Sequence, residues 1–261
     1  MAIITISRGT FGGVKELAEM LSSELGYLLV TREELLAATA RSFGATEAQL
    51  ESALLHRPGF LEGRGLRRLR YINCVQAAIA KEVQADNVVY HGQAGHLLLK
   101  GLPHHLRVRV VANMEFRIES VVERCNMTRE RAVEYIRELD QERDNWVRWV
   151  YGIDSNDPAT YDMVINLEHI PVPTACMVVA ETAKREFSTT PEAQRKADDL
   201  ALASEIRARI GMDKSISDER IVVSAEDGIV TLNTDARRLA EAEQVKAMAL
   251  EIAGVKEVQM R

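Results

Sequence analysis

The chain has little with which to cross-link itself. Only three of its 261 residues are cysteine, Cys74, Cys125 and Cys176. Far apart and odd in number, they fit neither a disulfide framework nor a zinc-ligand spacing, so a reducing compartment, the cytoplasm, is expected. Net positive charge is missing too. Lys and Arg number 33 against 39 Asp and Glu, for a formal net charge of −6. No general nucleic-acid partner is expected, although basic patches can persist on an acidic protein. The N-terminus lacks a charged region followed by an apolar one, and no stretch reaches the length of a membrane span. His96, His104 and His105 have no Cys or carboxylate at ligand spacing, so they read as surface or turn histidines and no metal site is expected.

What is present is ordinary globular composition, 46% hydrophobic and 28% charged, in a length suited to one or two domains of about 100–200 residues each. The first fifteen or so residues carry the strongest signal. Ile3-Ile4-Thr5-Ile6 is a β-branched run suited to a buried strand. Arg8, Gly9, Thr10, Phe11, Gly12 and Gly13 follow, and then Val14, Leu17, Ala18, Leu21 and Leu25 recur at helical spacing around Lys15 and Glu16. A strand, a Gly-rich turn and a basic residue at a helix start form the arrangement that holds phosphates. The Walker A pattern read from Gly9 would need Gly at 14 and Ser or Thr at 16, where the chain has Val14 and Glu16. A Gly-rich β-to-α turn that binds nothing fits the same residues.

Strand and helix signals then alternate. Tyr27–Val30, Asn87–His91, Leu106–Ala112 and Tyr161–Asn166 read as strands. Helices are expected over 46–57, 69–84, two segments between 114 and 151, the second with Thr128 as its N-cap, and 173–186. This order gives a parallel sheet covered by helices, with ligands at the carboxyl ends of the strands, where the turns at 9–13 and 92–95 would sit. A basic cluster at Arg64, Arg67, Arg68 and Arg70 reads equally as a solvated edge or a phosphate contact. Arg137, Asp140, Arg143 and Asp144 share one face of the second charged helix, which is also what an exposed, salt-bridge-laced helix looks like. Trp146 and Trp149 read as packing. Residues 187–192 are the linker candidate. Beyond it the order changes to helix (193–210), strand, an Asp227-Gly228 hairpin turn, strand, helix and a final strand, a compact α-β-β-α-β unit.

These pieces resemble two known families. Ile4-Thr5-Ile6-Ser7-Arg8 with the glycines and Lys15-Glu16-Leu17-Ala18, Thr31-Arg32-Glu33, Val89-Tyr90-His91-Gly92, Val108–Ala112, Asp140-x-x-Arg143 and Tyr161–Asn166 make residues 1–186 similar to the cytidylate kinase-like family of P-loop nucleoside monophosphate kinases. Ile221-Val222-Val223, Asp227–Leu232 and Ala253–Val258 make residues 193–261 similar to a BON domain. The resemblance implies an α/β P-loop kinase-like fold, a parallel sheet flanked by helices with a helical lid, followed by a small α+β domain.

It also implies roles. ATP with Mg2+ would lie on Arg8, Gly9, Thr10, Gly12, Gly13, Lys15 and Glu16. Lys15, Arg137 and Arg143 would act on the transferring phosphoryl group. Arg32, Gly92, Gln93, Arg117 and Asp140 would face the acceptor, CMP by family likeness. The BON-like domain implies a protein or membrane-surface partner, and a homo-oligomer is left open. The chain departs from the family's usual residues in three places: Phe11–Val14 in place of Gly-Ser-Gly-Gly, Thr31 in place of Asp, and Gln93 in place of Arg. Val14 narrows the space for a phosphate and disfavours positive φ. A nucleotide sensor with impaired transfer, joined to a partner through its C-terminal domain, is the alternative to a working kinase.

Overall fold

A computed structural model describes residues 2–8, 13–56, 65–216, 221–233 and 239–261, with backbone alone at 8, 65–68, 239 and 240. Gly9, Thr10, Gly12 and Arg64 lie outside the described residues, as do the side chains of Arg67 and Arg68. By compactness the described chain divides into two units, Met1–Arg32 with Leu55–Arg57 and Asp86–Thr189, and Glu33–Leu54 with Pro58–Ala85 and Thr190–Arg261.

The first unit is built on strands β1 (Ile3–Arg8), β2 (Leu28–Thr31), β3 (Val88–His91), β4 (His105–Val111) and β5 (Met163–Asn166). They form one sheet in the order β2-β3-β1-β4-β5, and every pairing is parallel. Parallel neighbours require crossovers, and here helices supply them: α1 (Val14–Leu25) after β1, α2 (Arg32–Phe43), α3 (Glu47–Leu55) and α4 (Gly65–Val83) after β2, then α5 (Gly95–Leu98), α6 (Met114–Cys125), α7 (Arg129–Tyr151) and α8 (Val172–Glu186).

Strand alternation gives the sheet two unlike faces. Ile4, Ile6, Val89, Leu106, Val108, Val110 and Ile165 form one core with Leu17, Ala18 and Leu21 of α1 and Ala175, Val179 and Ala183 of α8. The alternate positions on the other face are Thr5, Ser7, Tyr90, His105, Arg107 and Arg109, all buried or half-buried. Here a sequence expectation is corrected. His96, His104 and His105 are buried, not surface histidines. His105 falls on the polar face because it is in step with Arg107 and Arg109, and its ring is paired: Nε2 lies 2.7 Å from Thr5 Oγ1 and Nδ1 lies 3.2 Å from the Leu99 carbonyl. The carbonyl can only accept, so Nδ1 carries the proton and the Thr5 hydroxyl donates to Nε2.

The second unit centres on α9 (Pro191–Met212), capped by the Thr190 hydroxyl, which accepts from Ala193 N–H at 3.1 Å. The non-helical segment before it is therefore Phe187–Thr190, shorter than 187–192. α9 is buried on two sides. Ala203, Ile206 and Ile210 join Val223, Val230, Leu232, Val245 and Val258 in the core under a sheet of β6 (Val222–Glu226), β7 (Ile229–Asn233) and β8 (Glu257–Met260), with α10 (Leu239–Leu250). Ala193, Ala197, Ala201, Ser204 and Ala208 bury a second stripe of small side chains, and α9 packs closely along α4. Gln194 Nε2 donates to the Gln84 carbonyl at 2.9 Å, and Gln84 Nε2 donates to Asp198 at 3.1 Å. The C-terminal α-β-β-α-β order thus continues into α4, which the sequence places far from it.

β6 and β7 pair antiparallel across Asp227-Gly228, whose φ values of 51° and 81° are those of a type I′ hairpin turn. The Asp199 carboxylate accepts from both turn amides, at 2.8 and 3.0 Å. A Cβ on Gly228 would stand 2.8 Å from the Gly254 carbonyl oxygen. Left-handed strain and this backbone collision act together, so Gly228→Ala is expected to destabilise the protein by about 2 kcal/mol or more. Thermal unfolding followed by circular dichroism measures it, and an unchanged melting temperature would refute the tight turn.

Candidate functional site

The carboxyl ends of the central strands lie side by side. Ile6 pairs with both His91 and Val108, Arg8 with Val110, and Thr31 with His91. The chain leaves β1 toward the β2 edge and leaves β4 toward the β5 edge, the switch point at which open parallel sheets bind ligands. The segments expected from sequence to carry the site all emerge at this end: Arg8 at the end of β1, Arg32 directly after β2, Gly92 and Gln93 directly after β3.

Gly13 is the N-cap of α1 with φ 75°, and Val14 is already helical and buried in the core. Positive φ is therefore asked of Gly13 and not of Val14, which corrects the positive-φ part of the objection raised against Val14 from sequence. Lys15 and Glu16 are exposed in the first turn. Lys15 Nζ sits 3.7 Å from Glu19 Oε1 in a surface pair. Exposed pairs of this kind contribute about 0–1 kcal/mol, so the ammonium can turn to an anion at little cost.

After β3, Tyr90 decides the backbone. Its side chain is fully buried, and a Cβ would stand 2.3 Å from the Tyr90 hydroxyl oxygen at Gly92 and 2.5 Å from the ring at Gly95. Both glycines are needed for this close approach, whatever binds above them. Gln93 is buried, and its carbonyl accepts from Tyr90 Oη at 3.3 Å.

Helices α6 and α7 form a hairpin with its own small core of Ile118, Val121, Ala132 and Ile136. Thr128 caps α7 as its sequence predicts. Arg117 Nη2 reaches Asp140 at 2.6 Å, and Arg143 Nη1 lies 3.8 Å from the same carboxylate. The structure thus brings Arg117, Asp140 and Arg143 together, while Arg137 is exposed, nearer the start of α7. Trp146 is fully buried, as packing requires. In the second unit, Arg70 donates to Tyr71 Oη at 2.9 Å and lies over the Tyr71 ring.

Sequence reasoning missed a group beside these. Arg109, on the polar face of β4, donates from Nη1 to the Ser155 carbonyl and to Tyr161 Oη, and from Nη2 to Asn156 Oδ1 at 2.7 Å. Ser155 and Asn156 in turn donate to the Asp144 carboxylate of α7. The Tyr161 ring stacks at 4.6 Å on His96, whose Nδ1 is 2.8 Å from Ser7 Oγ. The signal was available in part, since Arg107 and Arg109 sit at alternate positions of an otherwise apolar strand. Arg107 forks onto Asp162, with Nε at 2.9 Å and Nη2 at 2.6 Å. Burial raises the Asp162 carboxyl, but the hydrogen bonds from Arg107 outweigh it and hold it below the usual carboxylate range.

Among the described residues, no three His, Cys, Asp or Glu side chains cluster as metal ligands, and no helix is long and apolar enough to cross a membrane. Burial, with help from neighbouring His105 and the Arg109 and Arg107 charges, lowers His96 to about 3. Burial likewise lowers His105 to about 4, against the hydrogen bond to Leu99.

Residues 3–169 match the cytidylate kinase-like family and residues 198–261 the BON domain. The chain is 27% identical over 191 residues to a cytidylate kinase of Ignicoccus hospitalis, covering 71% of this chain and 98% of that protein. An uncharacterised protein from Eubacterium ventriosum has the same fold, with a TM-score of 0.53 and 17% identity over 70% of this chain and 98% of its own. A shikimate kinase from Bacteroides thetaiotaomicron aligns at a TM-score of 0.44 and 10% identity, over 70% of this chain and 98% of its own.

The lowered histidines make stability depend on pH in a stated direction. Both are neutral when folded and take up a proton when unfolded below about 6.5. Their contribution is complete above about 6.5 and is lost as pH falls toward about 4 for His105 and about 3 for His96. Melting temperature should fall across that window, less steeply in His105→Gln. A flat profile from pH 7 to 4 would contradict the burial of neutral imidazoles.

Proposed function

Because the chain belongs to the cytidylate kinase-like family, we propose that it transfers the terminal phosphoryl group of ATP to a nucleoside monophosphate, with CMP the first acceptor to test. The observation that carries this reading is that the carboxyl end of one parallel sheet has Lys15 in the helix after β1, Gly92 and Gln93 directly after β3, and the α6–α7 hairpin after β4. The CMP assignment is supported by the family and by the name of the Ignicoccus hospitalis relative.

In the proposed reaction an acceptor phosphate oxygen attacks the γ-phosphorus and the bond to the β–γ bridging oxygen breaks, leaving ADP and a nucleoside diphosphate. Such transfer asks for positioning and charge neutralisation more than for covalent help. Backbone amides from Gly9 to Gly13 and the start of α1 would receive the donor phosphates, and Lys15 would add a full charge. Arg143, and Arg137 from further along the lid, would close on the moving phosphoryl group, where a guanidinium fork suits phosphate oxygens. Arg32 and Gln93 would face the acceptor, and Asp140 would hold Arg117 and Arg143 in place. Magnesium supplies further charge neutralisation when bound to the phosphates. Glu16, an exposed carboxylate in the first turn of α1, fits a magnesium that keeps most of its waters and phosphate ligands. The BON domain would supply a surface for a protein or membrane partner.

Titration calorimetry with ATP and with CMP, each with magnesium, and a coupled ADP-release assay test the proposal. CMP-dependent ADP release is expected, with ATP binding abolished in Lys15→Ala and kcat reduced about 100-fold or more in Arg143→Ala. Unchanged ATP affinity in Lys15→Ala would refute the assigned phosphate site. Binding of both nucleotides without turnover would replace the kinase with a nucleotide sensor.

A further inference from the structure

The lid hairpin and the glycine turn leave different strands, yet their bases are joined by one chain of side-chain contacts. Starting from α7, the Asp144 carboxylate accepts from Ser155 Oγ and, at 3.1 Å, from Asn156 Nδ2. The Ser155 carbonyl and Asn156 Oδ1 are both taken by the Arg109 guanidinium of β4. Arg109 also donates to Tyr161 Oη at 3.1 Å and lies 5.3 Å from that ring's centre. Tyr161 donates to the Ser155 carbonyl at 3.0 Å and stacks on His96, and His96 meets Ser7 at the end of β1.

Arg109 is the node of this chain. It is the one member that touches both the 155–156 turn and Tyr161 while standing on a strand in the middle of the sheet. Its planar fork serves three acceptors at once, which a lysine ammonium on a flexible stem does not reproduce. The part of the lid it secures is the part that matters for transfer, because Asp144 is the neighbour of Arg143 and lies one turn beyond Asp140. The distal half of the hairpin, Ile118 to Ile136, has its own core and does not need this anchor.

We propose that Arg109 is a positioning residue that fixes the base of the lid helix, and through it Arg143, relative to the end of β1. This rests on the kinase reading for its catalytic consequence but not for its structural one. A displacement of about 1 Å far from the chemistry can cost on the order of 100-fold in rate. Arg109→Met is therefore expected to lower kcat about 10- to 100-fold while KM for ATP stays within about threefold. Arg109→Lys should recover only part of the loss. In an Arg143→Ala background the same Arg109→Met change should cost less than about threefold, since the residue it positions is gone.

Amide hydrogen exchange on the unliganded full chain gives a readout independent of turnover. Arg109→Met should speed exchange at residues 144–152 about tenfold or more, with residues 129–136 unchanged. Losses that multiply fully in the double variant, full recovery by Arg109→Lys, or unaltered exchange at 144–152 would each overturn the proposal. If the unmodified protein turns over no nucleotide, the kinase reading fails by itself, and the exchange measurement still decides the role of Arg109.

Discussion

Backbone hydrogen bonds in a parallel sheet are satisfied strand to strand, so the character of each face is set by side chains alone. One face here is apolar and is closed by α1 and α8. The other holds Thr5, Ser7, His105, Arg107 and Arg109, and a polar group taken from water without a partner costs about 1–3 kcal/mol. That requirement dictates what stands against this face. His105 answers Thr5, His96 answers Ser7, Asp162 answers Arg107, and the 155–156 turn with Tyr161 answers Arg109. The loop between α7 and β5 is held down because the sheet needs its oxygens, and the lid is held down with it through Asp144.

A phosphoryl-transfer site needs such a frame. The groups that would contact phosphate stand outside the sheet: the first turn of α1, where Lys15 is exposed, the turn after β3, and a helical hairpin. Their mutual geometry has to be set by something that does not move with the nucleotide. The polar face does this for the lid base, the buried Tyr90 ring does it for the turn at Gly92, and the α1–α8 core does it for Lys15 by burying Val14 and Leu17 on either side. In the second unit the small-residue stripe of α9 brings α4, part of the β2-to-β3 crossover, into one packed body with the C-terminal sheet.

Much of this was legible in the sequence because it depends on local rules. The β-branched run at Ile3–Ile6, the Asp227-Gly228 turn, the Thr128 cap and the strand–helix alternation each follow from short-range preferences, and each stands where expected. The parallel order and the placing of the end of β1 beside His91 at the end of β3 follow from alternation. What could not be read were long-range pairings. Arg109 looks like an interruption of a strand until Ser155, Asn156 and Tyr161 are seen around it. His96 and His105 look like surface histidines because their burial goes with the Ser7 and Thr5 hydroxyls, which are remote in sequence. α9 shows an alanine stripe in the sequence, but not that the helix it meets lies more than a hundred residues earlier. Val14 is the converse case: helical spacing begins with it and the comparison with the glycine pattern counted against it, while the fold gives the positive φ to Gly13.

The central claim is that one edge of the parallel sheet receives the nucleotide donor while the lid base and the end of β1 keep a common frame. The most direct measurement is an amide-resolved NMR titration of the full chain with magnesium–ATP. Shifts are expected to concentrate at residues 8–17, 91–93 and 137–156 and to leave the β6–β8 sheet unaltered. Shifts confined to the C-terminal sheet, or spread evenly over the chain, would contradict the assignment of the site to that edge.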